Sequence, residues 1–111
     1  MLSDLVMDFA KARLTMDDNR ELFEDIVKQF QLDAPPHLKR IHEAQLAGDN
    51  ETVRRSAHAL QGMAGVLAAQ GTLHWAREVE ASAGSSTCAT AVEHLTTALS
   101  RLDDALANYR W

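Results

Sequence analysis

The chain has 111 residues, 46% of them hydrophobic, with 5 glycines, 2 prolines, one cysteine and a net charge of −5. That length fits one domain with a modest core, expected here over residues 1–111. The acidic balance excludes an electrostatic nucleic-acid binder, no apolar run reaches the roughly 20 residues a bilayer span needs, and the single thiol, Cys88, excludes an internal disulfide.

The N-terminal stretch carries Asp4 and Asp8 rather than the basic region of a secretory leader, so no direct membrane contact is expected. A short first helix is expected over Phe9 to Leu14, with Asp8 as its N-cap. Leu5, Val6 and Phe9 read as an apolar lid over the rest. Asp18-Asn19-Arg20-Glu21 has the form of a capping-box start. Leu22, Ile26 and Phe30 then recur at helical spacing, with Phe23 and Val27 off to one side. Pro35 and Pro36 interrupt this segment. Proline has no amide hydrogen and collides with the preceding turn, so a kink or break is expected near Asp33. Leu38, Ile41 and Leu46 continue the stripe, and Gly48 suits its end.

Asp49 or Asn50 caps the next helix, whose stripe is Val53, Ala57, Leu60, Ala64 and Leu67. Gln70-Gly71-Thr72 reads as a turn or helix start. Leu73, Ala76, Val79, Glu80 and Ala83 make a shorter helix. Ala83-Gly84-Ser85-Ser86-Thr87 is the clearest loop. The last helix carries Ala91, Val92, Leu95, Leu99, Leu102, Leu106 and Tyr109. No strand-like alternation occurs. Long amphipathic helices joined by short loops predict an all-α fold, an antiparallel up-and-down four-helix bundle with a short extra N-terminal helix.

The informative segment is Arg54-Arg55-Ser56-Ala57-His58-Ala59-Leu60-Gln61-Gly62-Met63-Ala64-Gly65. Helical angles place His58, Gln61, Gly62 and Gly65 on the flank of the core stripe and beyond it. Each glycine in a helix interior costs about 1 kcal/mol relative to alanine, so this side is bare for a reason. A nucleophilic histidine needs a free ring nitrogen, an open side and nearby positive charge. Arg54 and Arg55 lie one turn before it and reach the same surface. Gln61 offers an amide donor one turn after. Gly62 and Gly65 leave room for a partner to bring its own acceptor atom close. The chain has neither GxGxxG nor GxxxxGK[ST], so it has no ATP-dependent kinase activity of its own.

Ala57-His58-Ala59-Leu60-Gln61-Gly62-Met63-Ala64-Gly65-Val66-Leu67-Ala68-Ala69 resembles the signature of histidine-containing phosphotransfer (HPt) domains of bacterial two-component phosphorelays, A-H-x-L-K-G-x-A-x-x-L-G-A. The resemblance extends through Arg20 to Phe30, Ala34-Pro35, Ala47-Gly48-Asp49 and Leu73 to Glu80. It implies a four-helix bundle whose exposed histidine, here His58, accepts a phosphoryl group from a receiver-domain aspartate and passes it to another. The implied partners are response-regulator receiver domains, with Mg²⁺ supplied by the receiver and no cofactor held by the chain. Gly62 takes the position that lets a receiver approach, and Phe9 and Leu5 near the start of the chain are weaker interface candidates. Such domains occur free or as C-terminal modules of membrane-bound hybrid sensor kinases. A cytoplasmic monomer is expected. The chain departs from the pattern at Gln61, where lysine is usual, and at Met63 and Ala68. Glutamine offers the phosphoryl group a dipole instead of a charge, and charge-assisted bonds are roughly twice as strong. Stabilisation then falls to Arg54 or Arg55.

Other readings stand beside this one. Gln61 invites an interaction module of the same fold that binds a receiver or helix without carrying phosphate. The glycines also suit a structural bundle with close helix packing. His37, His42, His74, His94 and Cys88 form no metal-ligand pattern. Trp75 and Trp111 read as core or rim packing, and Glu78 and Glu80 as surface or rim charges.

Overall fold

The computed structural model describes residues 6–111, so Leu5 lies outside the described residues. Five helices follow in order: α1 (Phe9–Thr15), α2 (Arg20–Ala47), α3 (Asn50–Val66), α4 (Gln70–Ser82) and α5 (Cys88–Asn108). No strand occurs among the described residues. α2 packs on α3, α3 on α4, α4 on α5, and α5 closes back on α2. Only Gly48 and Asp49 separate α2 from α3, and Leu67 to Ala69 separate α3 from α4. Such short connections reverse the chain, so the neighbours run antiparallel. The 28 residues of α2, at about 1.5 Å each, account for the 42 Å long axis of the molecule.

The helix ends follow local chemistry. Asp8 accepts from the Lys11 amide, Asn19 from Leu22 and Asp49 from Thr52. Each satisfies an amide that the first turn leaves without a partner. α2 ends at Gly48, whose φ of 73° is left-handed. An added Cβ there would meet nothing within 4 Å, yet a left-handed backbone costs an L-residue roughly 1–2 kcal/mol. Gly48→Ala is therefore expected to lower the unfolding free energy by about 1 kcal/mol in urea titration; an unchanged midpoint would remove the conformational explanation. α3 ends in the same motif, with Ala69 N–H donating to Ala64 O and Ala68 N–H to Gly65 O. Here Ala68, where the family signature has glycine, takes the left-handed conformation at φ 53°.

Two expectations need correction. α2 runs unbroken through Pro35 and Pro36, with no break near Asp33. The missing amides would have served the carbonyls of Gln31 and Leu32. Those residues and both prolines are on the exposed side, where a carbonyl without an amide can be hydrated. Phe23, Val27 and Phe30 before the prolines and Ile41 and Ala44 after them are buried, and this packing offsets a cost of about 3 kcal/mol per interior proline. The stripe is also rotated from the expected one. Leu22 is 42% exposed and Leu46 84%, while Phe23, Ala34 and Ala44 face inward. Phe23 sets this phase: it is fully buried and meets Phe9 edge-on at 5.5 Å, with Tyr109 and Trp111 beside it.

The same aromatic group fixes α1. Phe9 stacks into it. Arg13 pairs with Asp18, donates to the Trp111 carbonyl and lies over the Trp111 ring. The Asp8 amide donates to the Ala68 carbonyl at 2.8 Å, tying the start of α1 to the turn that follows α3.

Candidate functional site

α3 buries Val53, Ala57, Leu60 and Ala64, and Leu67 at its C-cap continues the stripe, all at 1% exposure or less. This inward stripe fixes what points outward. His58 projects from α3 with its side chain 75% exposed. Its Nδ1 lies 3.3 Å from Oε2 of Glu80 on α4. The other Glu80 oxygen, Oε1, accepts from Gln61 Nε2 at 2.6 Å. An ionised carboxylate only accepts, so it favours the hydrogen of a neutral imidazole on Nδ1. Nε2 then keeps its lone pair on the solvent side.

An open cleft lies against this histidine. His58, Gln61, Gly62 and Gly65 line it from α3, Leu73 and Arg77 from α4, and Thr15 from the end of α1. A Cβ added at Gly62 or Gly65 would meet nothing within 4 Å. Nothing among the described residues requires those glycines, although each weakens the helix by about 1 kcal/mol. Val66, 42% exposed, adds apolar surface to the cleft lining.

The structure thus brings His58, Gln61, Gly62 and Gly65 together. Arg54 and Arg55 are exposed on α3 and line no part of the cleft. The Arg55 guanidinium bonds Glu51 at 2.5 Å, one turn back. Phe9 sits in the aromatic group beside Phe23 and outside the cleft lining. The Gln61 amide is directed at Glu80. Sequence reasoning missed Glu80 and Arg77. Their one signal is that Leu73, Arg77 and Glu80 repeat at four and three along α4, which marks a common face. Trp75 serves as inter-helix packing, stacked on His94 of α5 at 4.2 Å.

A helical bundle that presents an exposed histidine beside a bare stretch of helix is open to a partner on that face. The Hpt domain model matches residues 25–105, which includes all of α3 and α4, and the chain belongs to the Hpt domain family. Hpt domains are histidine phosphocarriers of phosphorelays and interact with response-regulator receiver domains. No curated protein sequence and no solved structure matches the chain. No helix among the described residues is long and apolar enough to cross a membrane.

Proposed function

We propose that this chain takes a phosphoryl group from one receiver aspartate onto His58 Nε2 and hands it to a second receiver aspartate. The observation that carries this reading is the pairing of an exposed His58, with Nδ1 facing Glu80, and two glycines beside it that the fold does not need. In the forward step the Nε2 lone pair attacks the phosphorus of the receiver acyl phosphate. The N–P bond forms, the P–O bond breaks, and the aspartate leaves as a carboxylate. The ring keeps its Nδ1 hydrogen and gains positive charge, which the Glu80 carboxylate offsets. The second receiver reverses the step. Gln61 acts through Glu80, holding its other oxygen.

The receiver supplies Mg²⁺ and the acid residues that neutralise the phosphoryl charge; transfer between the two proteins is chiefly a matter of positioning. It docks over Gly62 and Gly65, with Val66 and Leu73 as apolar contacts. Phe9 contributes by anchoring α1, and Arg54 and Arg55 attract an acidic receiver. The chain works as a monomer in the cytoplasm, free or as the C-terminal module of a membrane-bound hybrid sensor kinase.

The test is to charge a receiver domain with labelled acetyl phosphate, then add the chain. Label moving from the receiver to the chain supports the carrier. Equal receiver affinity of wild type and His58→Ala, with no label on the wild type, would instead make the chain an interaction module.

A further inference from the structure

We propose that Arg77 on α4 is the cation that holds the phosphoryl group at His58, a role that rests on the phosphocarrier reading. The family signature has lysine one turn after the histidine, and here that residue is Gln61, whose amide is engaged by Glu80. Glu80 adds a negative charge on the Nδ1 side of the ring. A phosphoryl group on Nε2 therefore arrives at a site that needs a cation and has lost the usual one. Arg77 is the permanently charged residue that lines the cleft with His58, Gly62 and Gly65. It lies one turn before Glu80, on the same face of α4.

Among the described residues its guanidinium has no carboxylate partner. Arg13, Arg20 and Arg55 are each paired with a carboxylate. No carboxylate among the described residues lies within 4.0 Å of Arg77, and its neighbour Glu80 has its two oxygens turned to Gln61 and His58. Guanidinium suits this task because its planar fork matches phosphoryl oxygens two at a time. The charge that α3 lost is thus supplied from the neighbouring helix.

Phosphoramidate tests this without any receiver. Nε2 attacks its phosphorus, the P–N bond breaks, and ammonia leaves. Arg77→Ala is expected to slow loading of His58 about tenfold, the loss of one charge-assisted bond, and Arg77→Lys to recover most of it. Arg77 is exposed, so both variants retain the fold, checked by circular dichroism. In the loaded protein the phosphorus resonance should titrate at higher pH in Arg77→Ala than in wild type, since a nearby cation favours the dianion. Loading rate and titration both unchanged in Arg77→Ala would overturn the role of Arg77 alone. A wild-type chain that takes up no phosphoryl group would overturn the carrier reading with it.

Discussion

Replacing His58 with glutamine abolishes phosphoryl uptake from a charged receiver and leaves the fold intact. The side chain is 75% exposed and sits outside the buried stripe of α3. Surface substitutions of this kind stay within about 0.5 kcal/mol. Glutamine is polar and fits the helix, but it has no ring nitrogen with a lone pair to attack phosphorus. Gln61 and Glu80 stay in place and cannot substitute, since an amide nitrogen is not nucleophilic and an ionised carboxylate would meet the phosphoryl group as a like charge. The readout is label on the chain after brief mixing, with a thermal melt of the same sample. An unchanged melt with label lost is the expected pair. Label that persists would move the nucleophile to His37, His42, His74 or His94.

Gly62→Leu separates docking from chemistry. An added Cβ at Gly62 meets nothing, as at Gly48, yet the two positions predict opposite signs. Gly48 is left-handed and needs to be glycine. Gly62 lies inside α3, where leucine is a better helix former by close to 1 kcal/mol. The variant is therefore expected to be more stable than wild type by up to about 1 kcal/mol. Transfer from a receiver should fall at least tenfold, because a branched side chain now stands where the partner must approach; this corresponds to about 1.4 kcal/mol or more of lost docking energy. Phosphoramidate, which needs no docking surface, should load the variant at close to the wild-type rate. Equal loss with both donors would mean that leucine blocks His58 itself and that Gly62 is not a docking residue.

How far the residues alone disclosed this site depends on the distance over which each interaction acts. Asp8, Asp49 and Gly48 are legible because a cap is settled within one turn; the box Asp18-Asn19-Arg20-Glu21 marks the start of α2, but Asn19, one residue after Asp18, makes the cap bond while Asp18 turns to Arg13. The α3 stripe is legible because Val53 through Leu67 repeats with a single phase. α2 was harder: its apolar residues fit two adjacent stripes, and only the packing of Phe23 among Phe9, Tyr109 and Trp111 decides between them. The prolines misled for the same reason, since local sterics favour a break and tertiary burial on either side of it prevails. Glu80 and Arg77 belong to the site only through the register of α4 against α3, which no spacing within one helix encodes. Arg55 shows the converse: its partner Glu51 lies four residues back, a pairing visible in the sequence that draws its charge away from His58.

The most direct measurement is a relay between two receivers. One receiver is charged with label and freed of donor, and the second is added uncharged, with or without the chain. Label should reach the second receiver only when the wild-type chain is present, pass through an acid-labile phosphohistidine at His58, and stay on the first receiver with His58→Gln. Label that passes as fast without the chain, or that never leaves the first receiver although the chain binds it, would contradict a carrier function.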